Sequence, residues 1–194
     1  MQMSYTDEFE IKDLEERKLF INCDVDESLI SEIVYHILRY NKEDKDIEVS
    51  KRKPILLYIN SRGGSLPDGY GVIDAIRTSK TPVYTINQGR CFSMGFLIFI
   101  AGVKRYAMPS AEFLLHDGST ASWDSTAKAL DRAEFEKNFL EPMTKRYVLE
   151  QTKITEELYK AQYRAEWYML PEEAKEQGVC THIVGVDCTI DDII

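Results

Sequence analysis

Residues 55–67, ILLYINSRGGSLP, join an apolar run to a glycine pair and the start of a helix. The run Ile55 to Ile59 has no polar alternation, which is typical of a strand buried on both faces. Pro67 lies near the first position of a segment whose apolar residues recur at helical spacing. Because glycines permit a tight turn, this stretch predicts a strand, a turn and a helix in succession.

The same succession occurs on both sides of this stretch. A strand over 18–21 is followed by a helix after a predicted cap at Asp26, and a strand over 83–86 is followed by a turn through Gly89 and a helix over 93–101. Repeated strand, turn and helix units predict an α/β fold with right-handed crossovers. In such folds, functional residues gather at the carboxyl ends of the strands.

The rest of the chain adds two strands over 106–108 and 113–115, and His116 lies at the carboxyl end of the second. Residues 124–150 predict a long, highly charged helix with few apolar positions, and Pro142 predicts a kink in it. We expect such a helix to project or to pack on another subunit. The remaining expectations are a loop over 41–53, helices over 155–164 and 171–177, and a strand over 179–186.

The composition fits one globular domain over residues 1–194, since 44% of the residues are hydrophobic and 29% are charged. The net charge of −9 argues against nucleic acid as a partner, because such binding depends on clustered Lys and Arg. Residues 1–50 hold 14 acidic and 6 basic side chains, so most of this charge lies there. That acidic surface is either simply solvated or a docking surface.

The four cysteines form no C-x-x-C pair, which argues against a zinc knuckle or a redox motif and favours free thiols in a reducing cytosol. The apolar stretch 91–101 is too short to span a bilayer, and the first residues have no signal-peptide pattern. The sequence therefore predicts a cytoplasmic protein with no membrane contact and no metal site.

The chain has three histidines, which limits the search for a general base. His36 lies off the apolar stripe of its helix and is predicted to be a surface residue. His182 alternates within the last predicted strand, so a structural role is favoured for it. His116 occupies a position typical of catalytic residues in α/β folds, although a structural histidine at a strand end would fit equally.

A nucleophile for His116 is offered by Ser93, which follows a predicted strand and precedes a predicted helix. Cys91 replaces the first glycine of the hydrolase pattern G-x-S-x-G, so that motif is not met. Free backbone N–H groups at a helix start, and at the pair Gly63-Gly64, can stabilise an oxyanion. Ser93 could also be only a helix cap. Neither G-x-x-x-x-G-K-[ST] nor G-x-G-x-x-G occurs, and we expect no nucleotide or other cofactor.

Taken together, the segments Tyr58 to Ser65, Ser93-Met94-Gly95, Ala101-Gly102 and His116 resemble the ClpP family, the proteolytic subunits of the Clp protease. The resemblance covers most of the chain. It includes residues 14–21, which are similar to the entry strand of the family, and 172–178, which are similar to its segment before the last strand. The interval of 29 residues between Gly64 and Ser93 also equals the spacing expected for the family.

The resemblance implies a ClpP/crotonase-like spiral of strand-strand-helix units with a projecting handle helix over about 124–150. It implies a serine endopeptidase that acts on unfolded polypeptides, assembles as a homo-oligomer of two stacked heptameric rings and is served by an AAA+ unfoldase (Clp ATPase). The residues that it implies are Ser93 as nucleophile, His116 as general base, Glu166 as the orienting acid, Gly64 and Met94 as oxyanion donors, and Gly63, Ser65 and Leu66 as substrate contacts.

Several positions depart from the family pattern. Glu166 replaces the usual Asp, Asp117-Gly118 replaces Gln-Pro after the histidine, and Trp167 replaces an Arg used in pairing across rings. These departures leave open a catalytically weak or inactive ring subunit that completes or regulates a mixed assembly. An acyl-CoA enzyme of the crotonase group and a Ser-Lys peptidase are further alternatives, although the second leaves His116 without a role.

Overall fold

Among residues 5–118 and 125–194, the part of the chain that the computed structural model describes, seven strands form one sheet. The strands are β1 Lys18–Ile21, β2 Ile55–Ser61, β3 Val83–Phe92, β4 Lys104–Ala107, β5 Glu112–Leu115, β6 Trp167–Met169 and β7 His182–Ile183. The helices are α1 Tyr5–Glu15, α2 Tyr35–Glu43, α3 Leu66–Thr78, α4 Met94–Phe99, α5 Thr126–Phe135, α6 Glu141–Gln151, α7 Glu156–Gln162 and α8 Pro171–Glu176. Ile30–Val34 and Glu136–Leu140 are π-helical, and Val49–Lys51 and Ile190–Ile193 are 3₁₀ turns.

The sheet is parallel in the order β1-β2-β3-β4-β7, and this confirms the predicted α/β fold class. The long strand β3 has two partners. Its first half pairs with β4, and its last three residues pair with β5. The strand β5 in turn pairs with β6, which is antiparallel to it. The carboxyl ends of β3 and β5 therefore lie side by side, and Ser93 and His116 follow directly on them.

The core lies between the sheet and the helices that connect its strands. All five residues from Ile55 to Ile59 are buried, as expected for a central parallel strand. A partly buried ion pair fixes the end of α2 against the start of β1: Arg17 Nη1 and Nη2 donate to the two carboxylate oxygens of Asp44 at 2.6 and 2.7 Å. These hydrogen bonds from Arg17 hold the pKa of Asp44 below its usual value.

The loop predicted over 41–53 begins with helix, because α2 continues to Glu43. The side chain of Asn41 explains the difference. Its Nδ2 donates to Ser79 Oγ at 2.7 Å, and its Oδ1 accepts from the backbone N–H of Lys80 at 2.9 Å. This contact with a distant segment holds a polar residue in helical conformation, which local sequence does not signal.

The turn predicted through Gly89 is wrong, since β3 continues to Phe92. The register against β2 does shift here, because Ile59 pairs with Asn87 and Ser61 pairs with Cys91. Arg90 to Phe92 pair with β5, and these backbone hydrogen bonds outweigh the local preference of glycine for a turn. The strand predicted over 179–186 is reduced to His182–Ile183. The N–H groups of Val179 and Cys180 bond instead to the carbonyl of Ala174 at the end of α8.

Four further predicted elements are present with shifted ends, and one α-helix and one strand were not predicted. The helix predicted over 93–101 is Met94–Phe99, and the strand predicted over 106–108 is Lys104–Ala107. The helices predicted over 155–164 and 171–177 are Glu156–Gln162 and Pro171–Glu176. The helix α1 and the short strand β6 were not assigned from the sequence.

The segment from α5 to α6 corresponds to the predicted handle, whose first residue, 124, lies outside the described residues. No residue of α5 is buried, and Leu130, Phe135 and Phe139 are 61%, 45% and 63% exposed. The π-helical turn Glu136–Leu140 ends two residues before Pro142, the position at which a kink was expected. Apolar side chains on such an exposed segment are the pattern expected for contact with another chain.

No helix within residues 5–118 and 125–194 has the length and hydropathy needed to cross a lipid bilayer.

Candidate active site

Ser93 forms the sharp turn between β3 and α4. Its φ of 52° and ψ of −119° are unusual for a residue other than glycine, and backbone strain of this kind clusters at functional sites. The turn is held by its backbone: the N–H of Ser93 donates to the carbonyl of Leu114 at 3.0 Å, and its carbonyl accepts from Phe96 and Leu97. The side chain of Ser93 makes no capping hydrogen bond, so a role only as helix cap is not what the structure shows.

The backbone of Gly63 packs directly against this turn. A Cβ at Gly63 would lie 2.6 Å from Ser93 Cβ and 2.9 Å from Met94 N, and a Cβ at Gly64 would lie 2.3 Å from the carbonyl oxygen of Val25. Both glycines have positive φ, at 101° and 146°. Only glycine fits these positions without displacing backbone, and this explains the pair that the sequence places after β2.

Gly64 presents its own N–H to the side of the chain opposite Val25. The residues on either side of Gly64 bind Val25: the N–H of Val25 donates to Gly63 O, and the carbonyl of Val25 accepts from Ser65 N, both at 2.8 Å. In parallel pairing, the residue between two such bonds directs its N–H away from the partner. Met94 is the first residue of α4, so its N–H has no acceptor within the helix. These are the two groups expected to stabilise an oxyanion.

His116 and Glu166 are brought together by the pairing of β5 and β6. Leu115 pairs with Trp167, so the next residues of the two strands, His116 and Glu166, lie opposite each other. His116 Nδ1 is 3.1 Å from Glu166 Oε1. Since a carboxylate can only accept, the neutral imidazole paired with it carries its proton on Nδ1 and has its free lone pair on Nε2.

His116 Nε2 is buried and has no hydrogen-bond partner in the described part of the chain. Ser93 therefore does not donate a hydrogen bond to this nitrogen in the described structure. Both residues line the same cavity. A histidine held by Glu166 and a serine in a strained backbone conformation therefore line one cavity.

The second oxygen of Glu166 has a partner that the sequence did not reveal. Tyr168 Oη donates to Glu166 Oε2 at 3.1 Å. Glu166 and Tyr168 are two residues apart along an extended strand and therefore lie on the same face of the sheet. Trp167 between them is buried, and its Nε1 donates to Glu173 Oε1 at 2.9 Å. Trp167 thus packs in the core, where the resemblance implies an Arg used in pairing across rings.

A cavity of about 530 Å³ opens beside Ser93 and His116. Six of the eight predicted site residues line it, whereas Gly63 and Glu166 do not: Gly63 packs on the Ser93 turn, and Glu166 contacts the Nδ1 edge of His116. Its further apolar lining comes from Leu97, Leu115 and Leu140. Sequence analysis missed the residues that α5, α6 and α7 and their connections contribute: Arg132, Glu136, Leu140, Glu141, Thr144 and Tyr163.

The other two histidines lie elsewhere. His182 stacks on Tyr106 with ring centroids 5.0 Å apart, and its Nδ1 is 2.8 Å from Thr181 Oγ1. His36 on α2 is half-buried, and burial lowers its pKa. Neither residue lines the cavity. The contacts of His182 agree with the structural role favoured for it, whereas the surface position predicted for His36 is wrong, because its side chain is half-buried and its Nδ1 is buried without a hydrogen-bond partner in the described part of the chain.

Comparison with known proteins gives consistent relatives. The family described as Clp protease matches residues 5–187. The ATP-dependent Clp protease proteolytic subunit 2 of Corynebacterium efficiens is 30% identical over 173 residues, covering 88% of this chain and 83% of that protein. Subunit 2 of Nocardia farcinica is 29% identical over 174 residues, covering 89% and 82%, and subunit 3 of a Synechococcus species is 29% identical over 174 residues, covering 88% and 83%.

Proposed function

This chain belongs to the Clp protease family, and on that premise we propose that it is an active serine endopeptidase that cleaves unfolded polypeptides. One observation carries the proposal. His116 is oriented by Glu166 through Nδ1, its buried Nε2 has no hydrogen-bond partner among residues 5–118 and 125–194, and its side chain lines the cavity that Ser93 also lines. This is the arrangement that a general base requires before substrate arrives, since catalytic hydrogen bonds often form only in the complex.

The reaction follows from these positions. His116 Nε2 takes the proton of Ser93 as Oγ attacks the peptide carbonyl, and the carbonyl electron pair moves to oxygen. The N–H groups of Gly64 and Met94 stabilise that oxyanion, and Glu166 stabilises the imidazolium. His116 then gives its proton to the leaving amine, and water hydrolyses the acyl-enzyme by the same steps.

The substrate is proposed to lie beside the segment Gly63 to Leu66. Val25 occupies one side of this segment through its two backbone hydrogen bonds, which leaves the other side for an extended peptide. Leu66 begins α3, so the strand-like part of the segment ends at Ser65.

The proposed setting is a ring assembly. The exposed apolar side chains Leu130, Phe135 and Phe139 favour the handle as a contact between subunits of two stacked heptameric rings. The relatives are named as subunits of an ATP-dependent protease, and we extend this to a partnership with an AAA+ unfoldase. A cytoplasmic location and a single domain over 1–194 stay predictions.

A second candidate is a weak or inactive ring subunit. It is favoured by Glu166 in place of the usual Asp and by the unformed hydrogen bond between Ser93 and His116 among the described residues. Membership of the Clp protease family favours either candidate over an acyl-CoA enzyme.

Hydrolysis of short fluorogenic peptides by the purified homo-oligomer, with Ser93→Ala as the matched variant, separates the two candidates. We expect turnover by the wild type, none by Ser93→Ala, and poor degradation of a folded protein without an unfoldase. Equal rates for wild type and Ser93→Ala in correctly assembled samples would overturn the peptidase proposal. Rapid unaided degradation of a folded protein would overturn the dependence on an unfoldase.

A further inference from the structure

Three residues form a row across the sheet beside the proposed catalytic groups. Phe92 pairs with Leu114, and Leu114 pairs with Tyr168, so the three strands β3, β5 and β6 present these residues side by side. Residues paired in this way share one face of the sheet. The rings of Phe92 and Tyr168 meet edge to face, with centroids 5.8 Å apart and an interplanar angle of 86°. This contact holds the ring of Tyr168, whose side chain is 56% exposed in the structure.

The hydroxyl of that tyrosine makes a hydrogen bond to the second carboxylate oxygen of Glu166. Tyr168 Oη donates to Oε2 at 3.1 Å, while His116 Nδ1 donates to Oε1 at the same distance. The hydrogen bond to Glu166 raises the pKa of Tyr168, so the phenol keeps its proton and acts as a donor at neutral pH. Both carboxylate oxygens are thus fixed by donors on the same face of the sheet.

Glu166 needs such a second partner. Its side chain is 59% exposed, and a glutamate has one more rotatable bond than an aspartate. Holding a long, solvated side chain in one geometry costs conformational entropy, which a single exposed hydrogen bond barely offsets. A second hydrogen bond from a ring that is itself packed on Phe92 reduces the freedom of the carboxylate.

We propose that Tyr168 is a positioning residue, which acts by holding the Glu166 carboxylate against His116. This inference rests on the proposed peptidase function. Phe92, the residue before Ser93, supports the Tyr168 ring, so this contact adds to the strand pairing that joins the nucleophile and acid sides of the site.

The test uses Tyr168→Phe, which keeps the ring contact with Phe92 and removes only the hydroxyl. With a short fluorogenic peptide, kcat is expected to fall about 3- to 10-fold with KM unchanged, the size of one partly exposed hydrogen bond to a charged group. Tyr35→Phe removes a hydroxyl from a 64% exposed position on α2 and serves as the matched control, with no change expected.

The decisive comparison is made in the Glu166→Ala background. If Tyr168 acts through Glu166, adding Tyr168→Phe to Glu166→Ala does not lower the rate further. If Tyr168 acts independently, the same fall in rate, about 3- to 10-fold, is seen again in the Glu166→Ala background. Rate constants for labelling by a fluorophosphonate replace turnover where Glu166→Ala is too slow.

The outcomes separate the two claims. An active wild type with an unchanged Tyr168→Phe variant, or with the full loss repeated in the Glu166→Ala background, overturns the role of Tyr168 alone. A wild type no faster than Ser93→Ala overturns the proposed function, and the role of Tyr168 with it.

Discussion

The nucleophile side of the proposed site is held in place by backbone packing, whereas its acid side is held by side-chain hydrogen bonds. The nucleophile side consists of backbone: Gly63, Gly64 and the Ser93 turn are fixed by close packing and by hydrogen bonds to Val25 and Leu114. The acid side consists of side chains, since His116, Glu166 and Tyr168 meet through two hydrogen bonds at a partly exposed surface.

This difference has a physical consequence. Close-packed backbone has no room for an added atom, so a substitution on the nucleophile side should either leave activity intact or abolish it, and should also affect folding. Solvated side-chain hydrogen bonds contribute individually and little to stability, so changes on the acid side should lower the rate in steps while the fold persists.

The largest effect is expected for Gly64→Ala. The added Cβ would lie 2.3 Å from the carbonyl oxygen of Val25 at a φ of 146°, so the segment must move. We expect peptide hydrolysis to be lost together with more than about 2 kcal/mol of unfolding free energy. Denaturant unfolding and peptide turnover, measured on the same sample, check both. Near-normal activity in Gly64→Ala would show that the nucleophile side tolerates change as the acid side does.

A large effect on rate alone is expected for Glu166→Ala, because the carboxylate orients His116 from an exposed position. The value of kcat should fall about 10²- to 10⁴-fold with no change in thermal stability.

Glu166→Asp sharpens this prediction, since it restores the usual family residue but withdraws the carboxylate by about 1.5 Å, one carbon–carbon bond. Activity between those of the wild type and Glu166→Ala is expected. A Glu166→Asp variant faster than the wild type would contradict the positions assigned to His116 and Glu166.

Asp44, a buried carboxylate that does not line the cavity, should affect stability and not the rate, the reverse of Glu166. Asp44→Asn breaks the ion pair with Arg17 and should cost about 3 kcal/mol of stability without changing kcat of the folded protein. Because Arg17 lowers the pKa of Asp44, this stability is fully present above about pH 4, the pKa of an unfolded aspartate, and is lost as the pH falls from there through the lowered pKa of the folded state. The difference between Asp44→Asn and wild type in denaturant unfolding should therefore stay constant from pH 7 to about pH 4 and shrink below that. A constant difference would argue against the ion pair as its source.

The sequence predicts the nucleophile side better than the acid side, for a physical reason. The glycine pair, the strand before it and the helix after it are adjacent in the chain, and local chemistry specifies their turn. His116 follows from its position at a strand end. Glu166, in contrast, was found only by counting along a family pattern, because it lies opposite His116 through pairing of strands 50 residues apart.

Long-range pairing also explains the errors in the fold. The turn expected at Gly89 is absent because β5 extends the pairing of β3, and the three-residue strand β6 was not predicted because it exists only as a partner of β5. The hydrogen bond from Tyr168 to Glu166 depends on β6 and was missed with it. Hydrophobic periodicity is a local signal and does not contain such partners.

The central claim is that Ser93 is activated by an oriented histidine. Intact-mass detection of a fluorophosphonate adduct on the assembled wild type, beside Ser93→Ala and Glu166→Ala, tests it most directly. We predict rapid single labelling of the wild type, none of Ser93→Ala, and slow labelling of Glu166→Ala. A correctly assembled wild type that takes no label would contradict the claim and favour the inactive ring subunit.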